Sequence, residues 1–120
     1  MNFEVLVEPL PQSRPRFGRG RAYELPKMTA YKKQIEQAAL IAMQGKQPTQ
    51  AAVKVCLKLW RKYKVCSRRF GDIDNHAKAI FDALNKIVWR DDSQVVSCTV
   101  DKYQSSTPKI EIEITELGVN

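Results

Sequence analysis

The stretch Ile110-Glu111-Ile112-Glu113-Ile114 restricts this chain more than any other. Branched apolar residues alternating with acids gather on one side of an extended strand, whereas a helix would scatter them around its circumference. The segment from Lys109 to Leu117 therefore reads as a half-buried strand, and commits the chain to a sheet with one face covered. Three further stretches read as strands. From Asn2 to Glu8, Phe3, Val5 and Val7 alternate with Glu4, Leu6 and Glu8 until Pro9. From Ala52 to Trp60, Val53, Val55, Leu57 and Leu59 alternate with Lys54, Cys56, Lys58 and Trp60. The last runs from Val95 to Tyr103.

Two helical segments supply the cover. The first extends from Thr29, as N-cap, to Gln44, with Tyr31, Ile35, Ala38 and Ala42 as its buried stripe and Gly45 as its stop. Leu40 and Met43 fall off that stripe and offer a second surface, suited to a subunit contact. The second helix begins near Asp74 and ends between Asn85 and Val88. The order β-α-β-α-β-β puts both helices on one face of a four-stranded mixed sheet, an α+β (mixed α/β) fold. At 120 residues the chain forms one domain, residues 1–120, with a single core. The longest apolar run, Ala38 to Met43, is six residues, and Glu4 and Glu8 stand where a signal peptide needs basic and apolar groups. The expectation is a cytoplasmic protein without a membrane segment. Cys56, Cys66 and Cys98 make an odd set with no close pair, read as reduced thiols.

Charge narrows the function. Twenty Lys and Arg stand against 13 Asp and Glu, and the excess is clustered. Between Pro11 and Lys33 there are seven basic residues and one acid, Glu24, and between Lys54 and Arg69 seven more with none. A polyanion is the natural partner. Arg14, Arg16, Arg19, Arg21, Arg61, Lys62, Lys64, Arg68 and Arg69 are candidate phosphate contacts, with Phe17, Tyr63 and Phe70 interleaved. Residues 9–26, with four prolines and two glycines, read as a long structureless loop of the kind that carries function.

Acids gathered against this trend mark the chemistry. Gly71-Asp72-Ile73-Asp74-Asn75 follows directly on Arg68 and Arg69, and in an extended entry to the helix Asp72 and Asp74 point the same way, toward one hard cation. The competing reading of Asp74 is a plain helix cap. At about 100° per residue from Asp74, Lys78, Asp82 and Asn85 fall near 40°, 80° and 20°. That polar strip borders a core face of Ile73, Ala77, Ile80, Phe81, Leu84 and Val88. An i,i+4 ion pair of Lys78 with Asp82 is the bland alternative. His76 falls away from the strip and reads as a half-buried structural residue. A single histidine also excludes zinc deaminase, His-rich metalloprotease and His-Asn-His nuclease chemistry.

From Asp72 to Val96 the chain resembles the RusA family of Holliday junction resolvases. The likeness lies in Asp-x-Asp-Asn, a lysine four residues after the second Asp, Asp-Ala-Leu-Asn, and Asp-Asp-Ser-Gln-Val. Arg14-Pro15-Arg16-Phe17 and the closing Ile-Glu-Ile-Glu-Ile strand extend it. Two departures are visible: His76 stands where an apolar residue is usual, and Lys86 replaces a glycine that often follows Asp-Ala-Leu-Asn. The resemblance implies a homodimeric, Mg²⁺-dependent endodeoxyribonuclease of bacterial or phage origin that nicks four-way DNA junctions, with Mn²⁺ as a rival ion. It makes Asp72, Asp74 and Asp92 metal ligands and catalytic residues, sets Asp91 beside them, and makes Lys78 the essential base-charged group; Arg14, Arg16, Arg19, Arg68 and Arg69 would grip DNA. The competitor is a branched-DNA or single-strand nucleic-acid-binding module whose acids only cap and pair. A transferase using Asp-x-Asp lacks a phosphate-cradling glycine loop.

Reach leaves two routes for Asp92. A helix running to Val88 carries the chain about 21 Å from Asp74, and four residues return at most about 14 Å. Either the helix stops near Asn85, or Asp92 serves the site of a partner subunit.

Overall fold

The computed structural model describes residues 1–13, 16–18 and 21–118, with 16–18 and 21–23 described by backbone alone. In chain order the elements are β1 (Asn2–Val5), β2 (Arg16–Gly18), β3 (Arg21–Tyr23), α1 (Pro26–Met43), β4 (Val53–Arg61), α2 (Ile73–Leu84), a 3-10 turn at Asp92–Gln94, β5 (Val95–Gln104) and β6 (Lys109–Glu116). The four long-range strands form one sheet in the order β1-β6-β4-β5. β6 runs antiparallel to both neighbours, and β4 and β5 run parallel, so the sheet is mixed as expected.

Alternation sets the register. Val53, Val55, Leu57 and Leu59 of β4 and Ile110, Ile112 and Ile114 of β6 are all buried, with Leu57 opposite Ile112 and Leu59 opposite Ile110. Slipping either strand by one residue would turn this apolar set out to water. Val5 and Phe3 extend the same face across β1. Pairing of parallel strands requires a crossover, and α2 provides it, as the hairpin-forming alternatives cannot.

Several boundaries differ from expectation. β1 ends at Val5 rather than Glu8, where the Val7 amide turns back onto the Val5 carbonyl at 2.9 Å. The stretch read as a structureless loop holds a small hairpin, β2 against β3, pairing Arg16 with Tyr23. α1 starts at Pro26, whose missing N–H is harmless in a first turn, with Leu25 at the N-cap position instead of Thr29. Its buried residues are Met28, Tyr31, Ile35, Ala39 and Met43, so Met43 belongs to the core and not to a second surface. Leu40 and Ile41 face out, 57% and 78% exposed. Gln44 and Gly45 take left-handed φ values of 51° and 79° and stop the helix there.

α2 is rotated from its expected phase. His76, Ala79, Ile80, Ala83 and Leu84 are buried, whereas Ile73 is exposed and Ala77 and Phe81 are half-buried. The buried face therefore centres about 70° from the expected one, on the wheel of 100° per residue. The Asp74–Lys78–Asp82 strip points outward into solvent instead of bordering the core. Ala79 and Ala83 are small enough for close packing on the buried face, and His76 goes inward with them. Among the described residues no helix is long and apolar enough to cross a membrane.

Candidate active site

The acid pair is set by the end of β4. Arg61 continues the inward parity of Val53 to Leu59 and is only 6% exposed. Its Nη1 donates to the carbonyls of Arg69 and Phe70 at 3.0 and 2.8 Å, and Nε and Nη2 donate to Glu8 Oε1 at 3.1 and 3.0 Å. Tyr63 packs under the guanidinium, 4.9 Å from its ring centre. Arg61 is thus a buried clamp that closes the basic loop, and the expectation that it contacts phosphate is corrected. A charge can sit there because each of its three nitrogens donates to a protein acceptor, four hydrogen bonds in all.

A second latch fixes the exit from that loop. His76 Nε2 lies 2.6 Å from the Phe70 carbonyl, so that nitrogen carries the proton and donates, and Nδ1 is the bare one. The imidazole is fully buried rather than half-buried. Burial pushes its pKa down to about 4, with the nearby cations Arg61 and Lys102 adding to the fall against the opposing Phe70 hydrogen bond and Asp72 charge. Between the two latches Gly71 adopts φ +95°, and a Cβ there would stand 2.7 Å from Pro11 Cγ and 2.9 Å from His76 Nε2. Only glycine fits this turn.

Out of the turn come the carboxylates. Asp72 occupies the N-cap position of α2 yet makes no side-chain cap bond, and Asp74 lies in the first helical turn. Both are exposed. The capping role considered for Asp74 is therefore not what the structure has. Both acids sit where the helix dipole favours negative charge. One turn on, Lys78 borders a cleft of about 620 Å³ with Gln12, Ser13, Asn75, Lys32 and Asp82.

Lys78 does not pair with Asp82. Lys32 of α1 takes that carboxylate instead, with Nζ 3.1 Å from Asp82 Oδ2 and 3.0 Å from Glu24 Oε2. Among the described residues no carboxylate lies within ion-pair distance of Lys78. Lys32 escaped the sequence reading, because nothing in its position beside Tyr31 announces a partner 50 residues away.

Asp92 stands elsewhere. The Trp89 indole, fully buried, donates to Asp92 Oδ1 at 2.8 Å. Asp91 caps the 3-10 turn, accepting from the Ser93 amide at 2.9 Å, while Gln94 Oε1 accepts from the Arg90 and Asp91 amides. Hydrogen bonds from Ser93 hold the Asp91 carboxyl below its ordinary pKa. Gln94 Nε2 ties the turn to the carbonyls of Thr49 and Ala51 at 2.9 and 2.8 Å. α2 ends at Leu84, so eight residues lead to Asp92 and length alone would allow a return. Topology forbids it. Val95 pairs with Val53, at the beginning of β4, whereas Asp72 follows the loop clamped at its end. A nine-residue strand spans about 26 Å, so the two sets of acids lie at opposite ends of the β4–β5 pair. Among the described residues no three His, Cys, Asp or Glu side chains form a metal-holding group within one chain.

Of the basic residues, Lys62, Lys64, Arg68 and Arg69 are exposed around the acid pair. Phe70 is buried and Tyr63 half-buried, so both pack on the domain. Arg14 and Arg19 lie outside the described residues, as do the side chains of Arg16, Phe17 and Arg21.

Two open carboxylates, an unpaired ammonium one helical turn away and a basic rim at the same end of an α+β domain suit an enzyme that hydrolyses nucleic-acid phosphodiesters. Comparison with known proteins specifies which. The family described as Endodeoxyribonuclease RusA matches residues 7–115, and the chain belongs to this family of endodeoxyribonucleases. It is 32% identical to the crossover junction endodeoxyribonuclease RusA of Escherichia coli (strain K12) over 98% of both chains. It is 31% identical to the crossover junction endodeoxyribonuclease of Enterobacteria phage 82, again over 98% of each. The protein YqaN of Bacillus subtilis (strain 168) is 32% identical, across 98% of this chain and 97% of that one.

Proposed function

We propose that this protein is a Holliday junction resolvase: a homodimer that nicks four-way DNA in pairs, using Mg²⁺ held by Asp72 and Asp74 of one subunit and Asp92 of the other. The observation that carries it is the conjunction of two exposed, unspent carboxylates with a lysine that has no ion-pair partner among the described residues, at the centre of a basic rim. A module that only bound DNA would gain nothing from carboxylates beside phosphate. The donor set fits the ion, since three carboxylates are hard oxygen ligands of the kind Mg²⁺ takes, and Asp72 has no capping bond to give up. The ion, when bound, acts as a Lewis acid and lowers the pKa of the attacking water.

The side chains supply the rest. Asp72 and Asp74 orient on the scissile phosphate from the rigid first turn of α2. Lys78 points the same way and neutralises charge growing on a non-bridging oxygen; loss of such a group costs about 10²–10³-fold in rate. The Trp89 indole fixes the Asp92 carboxylate, leaving its second oxygen for coordination. Asp91, engaged in capping, supports the turn beside it. Lys62, Lys64, Arg68 and Arg69, with Arg14, Arg16 and Arg19, bind backbone phosphates around the branch.

The shared site follows from the distance between the acids within one chain, and it makes dimerisation a condition of catalysis, as suits a two-fold symmetric substrate. The test incubates a labelled immobile junction, a linear duplex and a flap with Mg²⁺ or chelator. Junction-selective, Mg²⁺-dependent paired nicks are expected, abolished in Asp74→Asn. Binding without cutting would replace the proposal by a DNA clamp. Mixing inactive Asp74→Asn and Asp92→Asn chains should regenerate one working site per heterodimer, and no regeneration would reject sharing.

A further inference from the structure

The cleft beside Lys78 holds more than the cleavage chemistry uses. It follows α2 from Asn75 through Lys78 to Asp82, about 10 Å at 1.5 Å per residue, with Gln12 next to Asn75. Its volume, about 620 Å³, is that of a small-molecule site. The described lining consists of carboxamides, ammonium groups, carboxylates and a hydroxyl, with no aromatic or aliphatic side chain. Such walls suit the hydrogen-bonding edge of a ligand rather than a stacked ring.

Gln12 is the residue that the fold leaves unspent. Its side-chain Oε1 is buried with no hydrogen-bond partner among the described residues. A buried acceptor without a donor is costly and uncommon. The segment carrying it is nevertheless held firmly. The Gln12 amide donates to the Asn75 carbonyl at 3.0 Å, and Pro11 packs on the Gly71 turn, where a Cβ would stand 2.7 Å from Pro11 Cγ. Two fixed contacts therefore present an unsatisfied acceptor beside Asn75, the residue that directly follows the acid pair. More acceptors face the same space, since Asp82 and Glu24 each give one oxygen to Lys32 and keep the other. What the lining lacks is a donor for Gln12 Oε1.

We propose that Gln12 reads the base of the nucleotide adjoining the scissile phosphate, accepting from an exocyclic amino group on its major-groove edge, and thereby sets where a junction is cut. This rests on the nuclease reading. On the α2 wheel Asp74, Lys78 and Asn75 fall near 0°, 40° and 100°, so Lys78 stands between the acids and the cleft. A phosphate held by the acids and touched by Lys78 delivers the neighbouring base to Gln12. Adenine and cytosine present an amino group at that edge, whereas guanine and thymine present a keto oxygen that would meet Oε1 lone pair to lone pair. Adenine also offers N7 to the carboxamide nitrogen, a second bond that cytosine does not have. A base at a branch is the least costly to unstack, so its edge reaches a cleft that continuous duplex keeps at a distance.

The test uses the full chain, in excess and with Mg²⁺, on labelled immobile junctions that differ only in the bases flanking the mapped cut. Each of the two flanking positions carries A, C, G or T in turn. At one position adenine and cytosine should be cut about tenfold or more faster than guanine and thymine, the discrimination one good base contact supports. Adenine ahead of cytosine shows both carboxamide atoms engaged, and equal rates for the two show the oxygen alone; either supports the amino readout. Gln12→Met, which removes the acceptor, should bring the ratio near one, and Gln12→Glu, which keeps it, should retain the order. Should Gln12→Met melt well below the native protein, Gln12→Ala carries the same expectation. Equal cutting of all four bases at both positions, a preference for guanine and thymine, or a preference that survives loss of the acceptor overturns base reading and leaves the nuclease standing. Absence of Mg²⁺-dependent cutting on every junction overturns both.

Discussion

Replacing Lys32 with methionine removes a cation that touches neither acid of the proposed metal site, and it should still slow cleavage. In the native protein Lys32 Nζ lies 3.1 Å from Asp82 Oδ2, which keeps that carboxylate away from Lys78, four residues earlier on α2. Without Lys32, Asp82 is an unpaired acid at i,i+4 from an unpaired lysine. Such a pair in the Lys-first order is worth about 0.4 kcal/mol at an exposed position. At RT near 0.6 kcal/mol that is about two paired states for each free one, so Lys78 would be available about a third of the time. Single-turnover cleavage of a labelled junction at saturating enzyme, which reads chemistry and not binding, should fall about threefold. Methionine keeps the buried stem, so stability should drop by only about 1 kcal/mol for the two lost, partly exposed pairs. Asp82→Asn alone should be close to native, and the Lys32→Met/Asp82→Asn double variant should recover the native rate. A Lys32→Met chain at full rate, or a deficit that persists in the double variant, would refute the idea that Lys32 protects Lys78 from capture.

Other outcomes follow from single positions. Lys86→Gly should stabilise the fold by about 1 kcal/mol in urea denaturation, because Lys86 holds φ 69°, a left-handed conformation that costs a side-chain-bearing residue about that much. Stability should fall with acid through His76. Its folded pKa of about 4 lies below the ordinary 6.5, so the unfolded chain takes up the proton first. The contribution is complete above pH 6.5 and is lost as pH falls toward 4, with a ceiling of about 3 kcal/mol. The difference between the native protein and His76→Phe, followed by denaturation at several pH values, isolates it from the carboxylates, and a pH-independent difference would contradict the assignment. Arg61→Met should destabilise by about 3 kcal/mol, since the Arg69 carbonyl loses its side-chain donor, the Phe70 carbonyl is left with His76 alone, and Glu8 loses its cation. Arg69→Ala should leave the melting temperature alone and lower the salt slope of DNA binding by about 1, from near −5 for about six neutralised phosphates.

What could be read without coordinates is what depends on short-range periodicity. The buried parity of Val53 to Leu59 and of Ile110 to Ile114 is written in the order of residues, and so is the βαβ alternation that produces the mixed sheet. The same parity carried one step further would have placed Arg61 inside, but its position at the head of a basic run made it look like a solvent-facing cation. The phase of α2 was less legible because Ala79 and Ala83 weigh little in a hydrophobic pattern while mattering most for close approach. In the candidate site, the exposure of Asp72, Asp74 and Lys78 near the start of α2 was readable from their spacing. Their distance from Asp92 was not, because it depends on which strands are neighbours and in what direction they run. Nor was the Lys32–Asp82 contact, which joins two helices through space.

The crossover between β4 and β5 has a consequence beyond geometry. Under the proposed shared site, with Asp72 and Asp74 at one end of the chain and Asp92 at the other, a solitary copy would carry no complete cutting centre, and activity would rise with the square of chain concentration when copies are scarce. On that proposal dilution would be a switch: newly made molecules would be inert toward DNA until they met one another, and each meeting would create two blades at once, facing the two strands that must be cut together.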